Sequence, residues 1–363
     1  MQFSYRAARL PKNPDLSQKI NAATERLHDK LSTFNFATID ISDYNKNYLF
    51  QDHLSNLTRT LQKYSYILSW ALASTKRPLK DIAFMEYGGG IGILSLLAKE
   101  VGIGTVLYND IYPVSCQDAQ EIGKALGCEA QAYIPGDIDE VIEFIQKEKL
   151  SCDAVASYDV IEHVYDIELF LNKLKQLSTG NLSIFMSSGA NGCNPRIKKA
   201  LTKLHHQHEY EDRLNLWGHK KRDCLQSFFN ERKLMIQQYR PQYTENLVYT
   251  LAKATRGMMK QDIHACINKY EQTKILPAIP MGSDTCDPHT GNWSEHLMDP
   301  YRLIEILKEN GFEATVIPGY YGYNHSNLKN KLSSALNGSI SLIPGLGLKI
   351  APFYSLSGTI TKK

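Results

Sequence analysis

Between Ile82 and Gly189 short apolar runs alternate with helical segments, and no other feature of the 363-residue sequence restricts its fold as strongly. The runs are "IAFMEYG", "GTVLYND", "EAQAYI", "CDAVASYDV" and "LSIFMSSG"; between them lie "ILSLLAKEV", "PVSCQDAQEIGKAL", "DEVIEFIQKE" and "IELFLNKLKQL". Strand–helix alternation predicts an α/β fold, a parallel sheet covered by helices on both faces. Ahead of it, residues 1–80 read as a helical extension. "DLSQKINAATERLHDKL" opens on an Asp cap, and "YLFQDHLSNLTRTLQKYSYILSWALAS" keeps helical apolar spacing along its length.

After Gly189 the alternation stops. Residues 190–298 read as a polar, helix-rich insertion that holds seven of the eleven histidines. The pattern resumes with the helix "DPYRLIEILKENGF" and the strand "EATVIPGYYG"; a second insertion spans 323–351, and "PFYSLSGTI" is the last strand. The expected organisation is an extension (1–80), a core (81–189), an insertion (190–298) and a completion of the core sheet (299–363). No internal repeat or low-complexity tract interrupts it.

The first strand ends in "EYGGGIG", Glu86 to Gly92, and opens a helix. Such a turn is a place to bind an anion or a nucleotide, because glycine tolerates positive φ and lets a ligand approach the backbone. A dinucleotide fingerprint needs a third glycine, and both frames here put Ile93 or Ser95 in its place. A carboxylate at the head of the loop would repel a pyrophosphate but suits a ligand carrying ammonium and sulfonium groups.

On these residues the sequence resembles the class I S-adenosylmethionine-dependent methyltransferases, whose E/D-x-G-x-G-x-G loop is matched by Glu86, Gly88, Gly90 and Gly92. The resemblance implies S-adenosylmethionine as cofactor. It assigns Asp110, at the end of "YND", to the ribose hydroxyls and Asp137 of "IPGDID" to the adenine amino group, with Ile138 against the ring and Tyr158 beside the cofactor. Taken alone, Asp110 also fits a turn residue and Asp137 a helix cap. "CDAVASYDVIEHVYDIELFLNKL" is similar to the small-molecule branch that includes the ubiquinone-pathway O-methyltransferases. The implied fold is a Rossmann-like seven-stranded mixed sheet, last strand antiparallel, with the helical extension and a large insertion after the fifth strand.

Composition and missing motifs narrow the acceptor. The net charge of +3 gives no general affinity for polyanions. "YDVIEH" stands where enzymes that methylate nucleic-acid amines carry a Pro-Pro motif, and neither the Pro-Cys nucleophile of cytosine methylation nor the paired-glutamate loop of protein-arginine enzymes is present. The expected partner is a small-molecule or glycan-type acceptor methylated on oxygen, not nucleic acid; N- or C-methylation, and a non-catalytic cofactor-binding or scaffold protein, are the other readings. The seven scattered cysteines and an N-terminus without an apolar leader lead us to expect a reduced, cytoplasmic protein. Oligomeric state is not legible.

Candidate catalytic groups stand after the fourth strand: Asp159, Glu162 and His163, as a base, a divalent-metal site or a helix cap. No motif supports a dedicated metal site. In the insertion, "LHHQHEYEDRLNLWGHKKRD" pairs His205 with Glu209 and His208 with Asp212 at helical spacing, which predicts a solvated helix with local ion pairs. The run "SDTCDPHTGNWSEHLMDP" supplies Asp287, Trp293 and His296 as substrate-binding candidates and His289 as a catalytic one. We expect this run to face the transferred methyl, with the insertion covering the cofactor. The segment after Ala314 lacks acidic residues and is apolar and mildly basic, a composition that admits contact with a membrane surface.

Overall fold

A computed structural model of the chain describes residues 10–213, 224–322, 327–343 and 345–361. The chain divides into two units: Met1–Ile161 with Ile167–Asn194 and Asp299–Lys363, and Glu162–Asp166 with Pro195–Met298.

The first unit begins with α1 (Pro14–Thr33), α2 (Asp43–Tyr48) and α3 (Leu57–Ala71). Asn13, not Asp15, caps α1: its side chain accepts from the Leu16 N–H at 3.1 Å, and Pro14 takes the first helical position, where its missing N–H costs nothing. The stretch expected as one long helix is interrupted. A π-helical turn at Leu49–His53 and a 3-10 turn at Leu54–Asn56 separate α2 from α3. Ser55 Oγ bonds back to the Gln51 carbonyl at 2.6 Å, and Asn56 leaves the helical region at φ −130°, ψ 36°. Short polar side chains compete in this way for backbone groups.

The core then follows the alternation: β1 (Ala83–Glu86), α4 (Ile93–Val101), β2 (Thr105–Asp110), α5 (Pro113–Ala125), β3 (Ala132–Pro135), α6 (Ile138–Lys147), β4 (Ala154–Tyr158), α7 (Ile167–Lys173) and β5 (Leu182–Ser188). All seven positions of β5 are buried, as befits a central strand covered on both faces.

The second unit contains α8 (Pro195–Tyr210), α9 (Phe228–Tyr239), α10 (Glu245–Ala254) and α11 (Lys260–Thr273). Phe229, Ile236, Val248, Leu251, Ile263 and Ile267 pack together between α9, α10 and α11. α8 is largely exposed, as its composition predicts, but the local ion pairs expected along it are absent. His205 and Glu209 are buried, and neither expected i,i+4 pair forms. Glu209 instead pairs with the fully buried Arg232 of α9 and accepts from Thr285 Oγ1 at 2.7 Å, His205 bonds Ser283 Oγ at 2.8 Å, and His208 bonds Ser294 Oγ at 2.6 Å. Residues 214–223, the remainder of that polar stretch, lie outside the described residues.

The chain returns to the first unit through α12 (Pro300–Glu309), β6 (Glu313–Pro318), α13 (Asn327–Leu342), α14 (Gly347–Ile350) and β7 (Tyr354–Ile360). The sheet order is β3-β2-β1-β4-β5-β7-β6, with β1 to β5 parallel and β7 antiparallel to both β5 and β6. This is the mixed seven-stranded sheet, last strand antiparallel, expected above. Asn191 and Asn194 remain with this unit, their side-chain amides donating to the carbonyls of Leu348, Ile350 and Ala351. On α13, Leu328, Leu332 and Leu342 are exposed. No helix among the described residues is long and apolar enough to cross a membrane.

Candidate active site

β1 delivers Glu86 to the C-terminal edge of the sheet, where ligands bind in open α/β folds. Gly88, Gly90 and Gly92 all adopt left-handed backbone, at φ +67°, +57° and +80°. A Cβ on Gly88 would lie 2.6 Å from Val160, whereas a Cβ on Gly90 would have, among the described residues, only Tyr48 within 4 Å, at 3.6 Å. The loop is therefore closed on one side and open above Gly90. Glu86 lies beneath it, 2% exposed, accepting from the Ser95 N–H at 2.7 Å in the first turn of α4. Burial pushes its carboxyl up to about 7. Its position fixes the loop to the helix behind it.

Asp110 closes the loop from the end of β2: one carboxylate oxygen accepts from Gly90 N–H and the other from Tyr112 N–H, each at 2.9 Å. The Tyr108 hydroxyl donates to the Gly90 carbonyl. Asn109, which the motif reading passed over, ties the glycine loop to β3: its Oδ1 accepts from Gly88 N–H at 3.4 Å, and its amide donates at 2.9 Å to the carbonyls of Ile134 in β3 and Gly136 just beyond it. Asp137 is the N-cap of α6, accepting from Asp139 N–H at 2.8 Å while Glu140 accepts from Asp137 N–H at 2.8 Å, a full capping box. Ile138 follows it, buried.

At the end of β4, the Tyr158 ring lies 3.6 Å from the Lys63 ammonium. Asp159 takes left-handed backbone at φ +52° and accepts from the Gly189 N–H at 2.8 Å. A non-glycine residue held in that region costs free energy, and such residues gather at functional sites. Only a 3-10 turn at Ile161–His163 follows, so no α-helix sets Asp159 and Glu162 on one face.

In the second unit, Glu162–Asp166 and the Asp284–Met298 run are knitted together. His163 Nδ1 bonds the Trp293 carbonyl at 2.8 Å, with Nε2 3.7 Å from Glu295; the His296 N–H donates to the buried Glu162 backbone carbonyl at 3.1 Å. Trp293 stacks between Tyr165 and His296 and donates its indole N–H to the Tyr165 carbonyl at 3.1 Å. Tyr165 in turn donates to Asp262 and accepts from Met259 N–H at 3.1 Å. Asp287 is buried, accepting from the N–H groups of His289 at 2.8 Å and Cys224 at 2.9 Å. His289 Nε2 meets Glu231 at 2.8 Å, and Cys224, Glu231 and His289 place ligand-type atoms within 4.8 Å of one another, a spacing a divalent ion could use. Burial pushes the Cys224 thiol up to about 11, so a metal would have to displace its proton.

Residues 85–181 match the family described as a methyltransferase domain. The chain carries a methyltransferase domain. No curated protein matches the sequence. Among solved structures it is similar to an S-adenosylmethionine-dependent methyltransferase from Agrobacterium tumefaciens, 18% identical over 36% of this chain and 45% of that one, TM-score 0.29. It thus spans under half the length of that neighbour. It is also similar to one from Mesorhizobium loti (12%, 78% and 93%, TM-score 0.36) and to magnesium protoporphyrin IX methyltransferase from Synechocystis, solved with bound S-adenosylhomocysteine (12%, 93% and 99%, TM-score 0.39).

The methyltransferase domain contains Glu86, the loop glycines, Asp110, Asp137, Ile138, Tyr158, Asp159, Glu162 and His163; Asp287, His289, Trp293 and His296 fall outside the match. Within the domain's own unit, Tyr48 and Lys63 from the extension line the open side of the loop and the end of β4. Sequence reading missed both. Tyr48 ends α2 just before a π-helical turn that leaves no mark on apolar spacing, and a single lysine on an amphipathic helix reads as surface. A separate cleft of about 520 Å³ beside α1, lined by Phe34, Phe36 and Phe50, has none of the loop's groups on its walls.

Proposed function

We propose that this chain is an S-adenosylmethionine-dependent methyltransferase acting on a small-molecule or glycan-type acceptor, with oxygen as the accepting atom. The observation that carries the reading is the Glu86–Gly92 loop. It has three left-handed glycines, a buried carboxylate below, Asp110 locked to its Gly90 N–H and one open face, all inside the matched domain. These residues fit the cofactor: bare backbone at Gly90 admits close approach, and the Asp110 carboxylate bonded to its N–H suits a ligand with hydroxyl and cationic groups. When bound, S-adenosylmethionine supplies an electrophilic methyl group on a cationic sulfur.

The chain's own residues do the rest. Asp110 accepts from paired hydroxyls while keeping Gly90 in place, and Ile138 offers an apolar wall at the end of β3. Asp137 keeps its cap on α6 and offers its remaining acceptor capacity to an amino group. Tyr158 and Asp159 orient the acceptor, whose oxygen must stand about 3 Å from the reacting carbon. The Asp159 carboxylate, held by Gly189 N–H, takes the acceptor's proton. The near-neutral charge and the missing nucleic-acid motifs favour a small acceptor.

Calorimetric titration with S-adenosylhomocysteine, then methyl transfer from labelled cofactor into a metabolite extract, tests this. Binding with transfer is expected, and transfer is expected to fail in Asp159→Asn with cofactor affinity kept. No binding at millimolar ligand by the folded chain overturns the cofactor reading; binding without transfer to any extract overturns the catalytic one.

A further inference from the structure

The geometry points to Lys63 as the anchor of a carboxylate at the mouth of the glycine-loop site, an inference that rests on the cofactor reading above. Lys63 stands on α3 within the same unit as the loop. Its ammonium is enclosed by protein on most sides, while the residue as a whole keeps part of its surface in solvent. Among the described residues it has no hydrogen-bond or ion-pair partner, and its close contact is the Tyr158 ring, 3.6 Å from the centroid.

An aromatic wall leads from this ammonium to the loop. Tyr158 lies 6.2 Å from Tyr64, Tyr64 6.2 Å from His53, and His53 4.6 Å from Tyr48, the residue above Gly90. His53 is 1% exposed, and its Nδ1 is buried with no hydrogen-bond partner among the described residues. Burial holds this imidazole down at about 3, so it is neutral and adds no competing charge. The wall thus holds one unpaired cation and one orphaned polar atom.

An enclosed ammonium without a direct ion pair or hydrogen bond is costly, and an aromatic face meets only part of its need. Burial draws Lys63 below its ordinary value, Asp159 and Asp52 oppose that, and Arg59 adds to it. Asp159 is within electrostatic reach but makes no ion pair with Lys63; its Oδ1 is held by Gly189 N–H. Lys63 and Arg59 together face the carboxylates of Asp159 and Asp52, a balance that matches a monoanion better than a phosphate dianion. Two sources of a carboxylate meet in the proposed reaction: the amino-acid end of the methyl donor and an acidic group on the acceptor.

The test titrates wild type, Lys63→Met and Lys63→Arg, each checked for an unchanged circular dichroism spectrum, with three probes: S-adenosylhomocysteine, methylthioadenosine, which lacks the amino-acid end, and benzoate. If the donor supplies the carboxylate, Lys63→Met weakens S-adenosylhomocysteine at least tenfold, leaves methylthioadenosine unchanged, and Lys63→Arg retains most of the affinity. If the acceptor supplies it, both nucleosides bind all three proteins alike, and benzoate binds wild type and Lys63→Arg but at least tenfold more weakly to Lys63→Met. Equal binding of every probe to wild type and Lys63→Met overturns the assignment. Failure of wild type to bind either nucleoside would overturn the cofactor reading instead, leaving benzoate alone to decide on Lys63: weaker binding to Lys63→Met upholds it, and no difference overturns it.

Discussion

Replacing Gly88 and Gly90 by alanine, one at a time, separates strain from crowding in a single loop. Both positions have positive φ, +67° and +57°, so each new Cβ costs about 1–2 kcal/mol of left-handed strain. At Gly90 nothing is added, because the nearest neighbour stands at 3.6 Å. At Gly88 the Cβ would meet Val160 Cγ2 at 2.6 Å and Cγ1 at 2.8 Å, and overpacking of that kind adds about 1–3 kcal/mol. Gly88→Ala should therefore destabilise the ligand-free chain by about 2–5 kcal/mol and Gly90→Ala by about 1–2 kcal/mol. Thermal denaturation of the two variants reads the difference. A double-mutant cycle isolates its cause: Val160→Ala removes both clashing methyls, leaving Cβ at 3.3 Å, and should restore about 1–3 kcal/mol to Gly88→Ala but nothing to Gly90→Ala. Cofactor affinity should move the other way, since the Gly90 methyl occupies the open face and weakens S-adenosylhomocysteine at least tenfold. Equal stability of the two variants, or no coupling between positions 88 and 160, would refute this account of the loop.

Further outcomes follow from buried groups. The folded-state value of Glu86 is raised to about 7, so the folded chain holds a proton the unfolded chain has released, and stability falls as pH rises towards it. Each pH unit above the ordinary carboxylate value costs about 1.4 kcal/mol, about 3 kcal/mol by pH 7, and Glu86→Gln should flatten that limb of a thermal-stability profile relative to wild type. Arg232→Ala leaves Glu209 buried without its cation and should destabilise the second unit by about 3–5 kcal/mol, read by hydrogen exchange in α9 and α10. Trp293→Ala removes the ring held between Tyr165 and His296, costing about 3–5 kcal/mol and opening the Asp284–Met298 run to limited proteolysis; a purely substrate-facing tryptophan would leave proteolysis unchanged.

The core was legible because its signals are local. Each strand is a short apolar run closed by turn residues, and the glycines announce a backbone that no other residue adopts readily. Spacing singles out Asp110 and Asp137, and Asp137's capping box with Glu140 is the helix-cap reading that its sequence also offers. What escaped was tertiary. Glu209 and Arg232 are 23 residues apart, and a buried pair has the same letters as an exposed one. The break at Leu49–Asn56 hides under continuous apolar spacing, because Leu49, Leu57 and Leu61 are buried on either side of it. Trp293 reads as a pocket wall from its sequence neighbours, and its indole bond to the Tyr165 carbonyl, 128 residues away, leaves no trace among them.

The strand order also governs how a growing polypeptide completes its core. β6 bonds only to β7, and β7 lies between β6 and β5. As synthesis proceeds, β1 to β5 can assemble, the whole second unit can emerge and collapse around its own helices, and β6 still has no partner until residues 354–360 leave the ribosome. Until then β5 presents an unpaired apolar edge, the kind of edge that recruits foreign strands. A nonsense codon before Tyr354 would therefore remove two strands from the sheet, not one, and the released product should be retained by chaperones instead of accumulating as a folded fragment.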